Sequence, residues 1–186
     1  NITVYGGSGN DQLAGNGGDT LIGGAGNDQL VSTGGNDTLL GGSGDDTISV
    51  SGDGLDVIDG GSGIDTLSFN RQDLTQGVTA NVTPGTGVLA DGTELFTGIE
   101  LLTLYTGSGD DLAVFNNTTT PSQQYFYAGG GTDSAIVDFS AFSSDVQAFP
   151  IDTTNYYVRT QWSPYALPAY QVTLDTTPAI DAIQLA

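Results

Sequence analysis

The sequence predicts an all-β chain: a parallel β-roll, or β-solenoid, of nonapeptide units, followed by a β-rich C-terminal capping region. Three observations predict it. Units of about nine residues follow one another from residue 6 to residue 68: GGSGNDQLA, GNGGDTLI, GGAGNDQLV, STGGNDTLL, GGSGDDTIS, SGDGLDVID and GGSGIDTLS. Each unit sets an aliphatic residue two places after an aspartate, in the pairs Asp11/Leu13, Asp19/Leu21, Asp28/Leu30, Asp37/Leu39, Asp46/Ile48, Asp56/Ile58 and Asp65/Leu67. Glycine then gives way to aromatics: 19 of the 29 glycines lie at or before Gly63, and 12 of the 16 aromatics lie from Phe115 onward.

Within a unit, glycines let the backbone turn tightly through positive φ, which costs other residues free energy. A three-residue strand follows, and only its middle residue points inward, so one aliphatic per unit builds the core. Two units make one coil, and coils stack about 4.7 to 4.9 Å apart through strand hydrogen bonds. A single unit buries almost nothing, so the stack is the folding unit. A disordered Gly/Asp linker would show no aliphatic at a fixed offset from Asp. Ile2, Thr3 and Val4 read as the strand of a preceding unit, so the sequence reads as a piece of something longer.

Alternate units share an edge of such a roll, which sorts the aspartates into two columns. Asp11, Asp28, Asp46 and Asp65 form one, and Asp19, Asp37 and Asp56 the other. Carboxylates one coil apart repel by roughly 3 kcal/mol at an effective dielectric near 20, so a cation is expected between them. Carboxylates and turn carbonyls are hard oxygen ligands, which select Ca²⁺ over Zn²⁺ or Cu²⁺. Mg²⁺ suits the columns less well because it retains its waters. The first column begins every unit with an intact G-G-x-G-x-D turn. The second has a deletion within 15–22, Ser32-Thr33 in place of Gly-Gly and an extra residue near Val50. Three Ca²⁺ sites are expected on the first edge, and two weaker or distorted ones on the second.

The G-G-x-G-x-D-x-U-x pattern of these units resembles that of the RTX, or hemolysin-type calcium-binding, repeat proteins. The resemblance covers residues 6–68, with the departures just named on the second column. It implies that alternate turn carbonyls complete the metal shell. Those carbonyls fall among Gly7, Gly9, Gly23, Gly24, Ala25, Gly26, Gly41, Gly42, Ser43, Gly44, Gly60 and Ser62. It also implies export by type I secretion and folding outside the cell.

Charge agrees with that reading. There are 22 acidic residues, of which all but Glu94 and Glu100 are Asp, against Arg71 and Arg159 alone, for a formal net charge of −20. Such a surface has no ordinary attraction to nucleic acid or an anionic membrane. The bias to Asp favours short carboxylates working in turns, and the metal-free chain is expected to be expanded by self-repulsion. Cysteine is absent, which suits a secreted chain held by metal rather than disulfides. No apolar run approaches the length of a membrane span.

After residue 68, GVTANV (77–82) and TELFTGIELLTLY (93–105) alternate as longer strands, with turns at Pro84-Gly85 and Asp91-Gly92. Residues 69–114 are expected to continue the solenoid or cover its open end. TGSGDDLAV (106–114) restores the turn signature with Asp111, and Asp110 or Asp111 is a further metal candidate. GGGTDSAIV (129–137) restores it imperfectly with Asp133. Residues 115–186 are expected to form an aromatic-rich antiparallel cap, with strands near 124–128, 134–139, 145–151, 155–161, 169–175 and 179–185. Aromatics from Trp162 to Tyr170 offer a contact surface for a glycan or another copy of the chain.

With no histidine or cysteine, Ser-His-Asp and Cys-His machinery and His-rich zinc sites are excluded. The chain is expected to be non-catalytic. The leading reading is a secreted structural or self-assembling module of a surface layer, adhesin or filament. The alternatives are a Ca²⁺-dependent secretion and folding appendage of a larger exoprotein, or a carbohydrate- or ice-binding module. Only the outward threonines Thr20, Thr38, Thr47 and Thr66 hint at the last, and Gln12, Gln29 and Val57 interrupt that row.

Overall fold

The computed structural model describes residues 1–83, 85–89, 94–116 and 122–137 and, as backbone, the strands 147–150, 155–159, 170–175 and 180–185. All of its regular structure is strand. The roll begins with β1 (Thr3–Ser8), β2 (Gln12–Gly15), β3 (Thr20–Ala25), β4 (Gln29–Thr33), β5 (Thr38–Ser43), β6 (Thr47–Ser51), β7 (Val57–Ser62) and β8 (Thr66–Asn70). Next come β9 (Thr79–Thr83), β10 (Thr86–Leu89), β11 (Glu94–Thr97), β12 (Leu101–Tyr105), β13 (Leu112–Phe115), β14 (Ser122–Tyr127) and β15 (Asp133–Val137). The remainder are β16 (Gln147–Pro150), β17 (Asn155–Arg159), β18 (Tyr170–Asp175) and β19 (Ile180–Leu185).

From β1 to β8 successive strands alternate between two sheets, as two units per coil require. One sheet runs β1-β3-β5-β7-β11-β10-β9-β13-β15-β19, and the other β16-β17-β18-β14-β12-β8-β6-β4-β2. Pairing within the repeats is parallel and matches equivalent positions, such as Leu21 with Leu39 and Leu30 with Ile48. That register puts the aliphatic that follows each repeat aspartate by two places into the core. Leu21, Leu30, Leu39, Ile48, Ile58 and Leu67 are buried to within about 1%, each contributing roughly 1.5 to 3 kcal/mol of apolar burial.

The strands run longer than the three residues expected, and a second position also faces inward, two residues after the aliphatic. On the second sheet this position enlarges along the stack. Gly15 pairs with Ser32, Ser32 with Val50, Val50 with Phe69, Phe69 with Leu104, and Leu104 with Phe126. On the first sheet it is the opening glycine of the next unit, Gly23, Gly41 or Gly60, which is buried.

Residues 69–114 insert into the roll instead of closing its end. β10 pairs antiparallel with both β9 and β11, while β11 joins β7 and β9 joins β13 in parallel. The first sheet thereby gains strands that the second lacks at that level. Phe69, Phe96, Phe115 and Phe126 fill the wider interior, with Phe69 and Phe96 centred 6.1 Å apart and Phe115 and Phe126 6.5 Å apart.

The six C-terminal strands lie close to their predicted places, but their pairing is mostly parallel. β14 continues β12 and accepts β18, and β15 continues β13 and accepts β19. The antiparallel arrangement expected for 115–186 is confined to β16-β17-β18. Alternating sequence fixes a strand and its inward face without fixing the direction of its neighbour, and here the inward ladder of β12 and β13 carries on into the following coils. The sheets run through residues 68/69 and 114/115, the boundaries read from composition.

Candidate metal centre

The repeat glycines shape the turns between strands. Gly7, Gly9, Gly24, Gly26, Gly42, Gly44, Gly61 and Gly63 all have φ between 103° and 141°, a region side chains disfavour. They also lie against the coil before: a methyl group at Gly24 or Gly42 would collide with the carbonyl oxygen of Gly7 or Gly24 respectively. Stacked turns of this kind hold each aspartate at a fixed height.

The first column forms as predicted. The Asp11 N–H donates to Asp28 Oδ1 at 2.8 Å, Asp28 N–H to Asp46 Oδ1 at 2.7 Å, and Asp46 N–H to Asp65 Oδ1 at 2.8 Å. One carboxylate oxygen of Asp28, Asp46 and Asp65 is thus committed to the coil before. The other is not. Asp11, Asp28, Asp46 and Asp65 each leave a buried Oδ2 with no hydrogen-bond donor, a condition costing about 1 to 3 kcal/mol or more for a charged group.

What surrounds these oxygens is another acceptor. The space that a side chain at Gly6 would take is bordered by Asp11 Oδ2 at 2.6 Å and the Gly23 carbonyl oxygen at 2.7 Å. At Gly23 the same space touches Asp28 Oδ2 and, at 2.6 Å, the Gly41 carbonyl; at Gly41 it touches Asp46 Oδ2 and, at 2.5 Å, the Gly60 carbonyl. Each is a cradle of oxygen acceptors that only glycine leaves open. Among the described residues no three acidic, His or Cys side chains converge, so carbonyls must supply the rest of any shell. The residues fit a hard cation: Asp11, Asp28 and Asp46 with the carbonyls of Gly23, Gly41 and Gly60 would hold Ca²⁺.

Other predicted carbonyls have different partners in view. Ala25, Ser43 and Ser62 oxygens accept from Gly9, Gly26 and Gly44 N–H groups at 2.7, 2.8 and 2.9 Å. Those of Gly7, Gly9, Gly24, Gly26, Gly42 and Gly44 lie against the glycine α-carbons of the next coil. An outer ladder escaped the sequence reading: Asn10 Oδ1 accepts from Asn27 N–H, Asn27 Oδ1 from Asp45 N–H, and Asp45 Oδ1 from Ile64 N–H, at 3.0, 3.1 and 2.9 Å. Its signal was the Asn or Asp preceding Asp11, Asp28 and Asp46.

The second column stacks as well, and differs in its outer oxygens. Asp19 N–H donates to Asp37 Oδ1 at 2.5 Å and Asp37 N–H to Asp56 Oδ1 at 2.8 Å. Asp37 Oδ2 accepts the Ser32 hydroxyl at 2.5 Å, and Asp19 Oδ2 accepts the Asn16 N–H at 3.2 Å. At Asp37 the acceptor-only cradle is lost because Ser32 brings a donor to the place that glycine keeps open on the first edge, and at Asp19 the Asn16 N–H does the same. Asp111 resumes this edge, with its Oδ1 accepting the Val78 N–H at 2.7 Å and its own N–H reaching Asp133 Oδ1 at 2.9 Å. Thr106 stands in the position of Ser32 there, but its hydroxyl donates to the Tyr127 and Ala128 carbonyl oxygens at 3.3 and 2.9 Å, and Asp111 Oδ2 is buried without a donor, as on the first edge.

Between Asp56 and Asp111 the second edge holds an internal cation. Buried Arg71 pairs with buried Glu94 and lies over the Phe69 ring, 5.4 Å from its centre. Glu94 stands two residues before inward Phe96, the relation of each repeat aspartate to its aliphatic. Neither residue was read as part of the columns.

Burial sets the acidities. It raises the pKa of Asp46, Asp56 and Asp111, opposed by backbone donors at all three and by Arg71 at Asp56. Asp65 is pushed up to about 6, first by burial and then by the neighbouring charges of Asp46 and Glu100. Asp19 is lowered, chiefly by the Ile2 N–H.

The RTX calcium-binding nonapeptide repeat family matches in four copies, over residues 3–20, 13–48 and 50–68. The solution structure of the AlgE6R3 subunit of the Azotobacter vinelandii mannuronan C5-epimerase is similar at 23% identity, over 96% of this chain and 79% of that one, with a TM-score of 0.24. No curated protein matches the chain significantly. Residues 3–68 are RTX calcium-binding nonapeptide repeats.

Proposed function

We propose that the chain is a non-catalytic, secreted structural module whose roll folds when Ca²⁺ enters the first-edge cradles outside the cell. The observation that carries this reading is the set of buried Oδ2 atoms without donors, each facing a carbonyl across a space only glycine leaves open. The bound ion supplies the positive charge those oxygens lack. Asp28, Asp46 and Asp65 position the backbone through Oδ1, and Gly6, Gly23 and Gly41, having no side chains, leave the cradles open. For a site of 10⁻⁴ M dissociation constant, about 10 mM Ca²⁺ adds roughly 2.7 kcal/mol, and several such sites rival a typical domain's whole stability. Circular dichroism of the full chain in chelator should show loss of part of the β-spectrum, that of the repeats, and millimolar Ca²⁺ should restore it. A complete β-spectrum in chelator would refute the reading.

Assembly into a layer or filament is the finer part of the proposal. β1 and β2 are the outermost strands of their sheets, and exposed strand edges recruit further strands. Ca²⁺ would relieve the acidic repulsion that opposes association. Light scattering should show growth with Ca²⁺ that deletion of residues 1–5 suppresses; a monomer at high protein and Ca²⁺ concentration would favour a secretion appendage. The aromatic contact surface expected at 162–170 lies outside the described residues apart from Tyr170, which is described as backbone alone. The outward Thr20-Thr38 and Thr47-Thr66 pairs remain interrupted by Val57 and by Gln12 and Gln29.

A further inference from the structure

We propose that the first edge carries one more Ca²⁺ site beyond its repeats, closed by Gly98 and Glu100 where another nonapeptide would stand. This inference rests on the calcium reading of the repeat cradles.

Asp65 ends the repeated column, yet its Oδ2 is buried and has no hydrogen-bond donor, as in the repeats. The oxygen needs a positive partner. The space beside Gly60 is bordered by Asp65 Oδ2 at 2.8 Å and by the Gly98 carbonyl oxygen, the same pairing that Gly23 and Gly41 show one and two coils earlier. A methyl group at Gly60 would strike both. Gly98 itself sits at φ 62° in the turn between β11 and β12, so this carbonyl is presented by a glycine turn although no G-G-x-G signature precedes it.

Glu100 completes the analogy. Its Oε2 accepts the Asp65 N–H at 2.9 Å, the bond that Asp65 itself provides to Asp46. It precedes inward Leu102 by two residues, and Leu102 pairs with Leu67 across β12 and β8. Glu100 therefore occupies the aspartate position of the next coil. Thirty-five residues separate it from Asp65 in sequence, against 19 between Asp46 and Asp65, because β9 and β10 are inserted. Its charge, with that of Asp46, acts on Asp65. The donor-less Asp65 Oδ2 and the Gly98 carbonyl share this space, the Glu100 carboxylate adds its charge one hydrogen bond away at the Asp65 N–H, and such hard oxygens suit a divalent ion; the longer Glu side chain reaches the register that Asp holds elsewhere.

Native mass spectrometry and calorimetric titration of the full chain with CaCl₂ test this directly, using E100Q, E100D and D28N. The expected result is one ion fewer, or one step weakened at least tenfold, for both E100Q and D28N, with the full count kept by E100D. D65N combined with E100Q should cost no second ion at this junction. An unchanged count and affinity in E100Q would overturn the proposal while D28N alone still supported calcium binding by the repeats. Should E100Q fail to fold, the ¹³C-carboxyl shift of Glu100 in the unaltered chain decides: movement during Ca²⁺ titration supports ligation, and a static shift through saturation overturns it. If the unaltered chain takes up no Ca²⁺, the calcium reading itself falls, a result distinct from loss of this site alone.

Discussion

The two edges of the roll carry the same motif and end in different chemistry. On the first edge, Asp11, Asp28 and Asp46 face carbonyls across glycine-walled spaces, and their outer oxygens have no donor. On the second, Ser32 and Asn16 bring donors to Asp37 and Asp19, and Arg71 opposes the rise in pKa that burial gives Asp56. An aspartate column alone does not define a cation site. At Asp37 the first residue of the unit decides, since glycine leaves a gap for an ion and Ser32 fills it with a hydroxyl; at Asp19, behind Gly15, the shortened turn brings the Asn16 N–H instead.

The harshest way to break this comparison is to fill a cradle. Gly41→Ala places a methyl group against Asp46 Oδ2 and the Gly60 carbonyl, and should remove about 3 kcal/mol of stability in Ca²⁺, as overpacking does. Gly7→Ala, at φ 107° with nothing within 4 Å, should cost only about 1 to 2 kcal/mol through its backbone conformation. Chemical denaturation in fixed Ca²⁺ compares them, and equal losses would show that the cradle adds nothing.

Neutralising one carboxylate on each edge is the next test. Asp46→Asn should weaken Ca²⁺ binding at least tenfold, about 1.4 kcal/mol, whereas Asp37→Asn should change it less than about threefold, well under 1 kcal/mol. Calorimetric titration reads both. A reversed order would place the ions on the second edge. Ser32→Gly sharpens the contrast from the other side: it removes the donor to Asp37 Oδ2 and should add one weak Ca²⁺ site, visible as an extra ion in native mass spectra at millimolar Ca²⁺.

The smallest expected effect is on pH. Asp65 has its folded pKa raised from 3.8 to about 6, so the metal-free fold holds a proton there that the unfolded chain releases. Its contribution favours the fold below the unfolded pKa and is lost as pH rises from about 3.8 to about 6. The metal-free chain should therefore resist denaturant better near pH 4 than near pH 7. Ca²⁺ competes with that proton, so its apparent affinity should fall on acidification. Asp19, lowered by the Ile2 N–H, should contribute the opposite slope at lower pH. Asp65→Asn should flatten the pH 4 to 6 response; if the response persists, another group carries it.

Much of this was legible from spacing. The offset between Asp11 and Leu13, repeated through Asp65 and Leu67, fixes both the core and the columns because one strand period links them. The degenerate turn at Ser32-Thr33 marked the edge that the structure shows to be different. Glu94 and Glu100 were not legible, since an insertion of unrelated length separates each from its column and only the structure restores the register. Nor was the parallel pairing of β14 and β15: their alternation names an inward face, while the neighbour that accepts it is set by the coil beneath. The inward role of Gly23, Gly41 and Gly60 was hidden because a residue with no side chain leaves no hydropathy signal.

The inner row that passes from Gly15 through Ser32 and Val50 to Phe69 gives the roll a polarity along its length. At the glycine end a coil has little oil to hold it and must be cemented by ions; at the phenylalanine end it can adhere by burial alone. The roll is graded like a laminate, with a metal-dependent margin grown on an apolar footing. Chelation should therefore peel it from the β1–β2 side, leaving the coils around Phe69 and Phe96 as the template on which the margin re-forms.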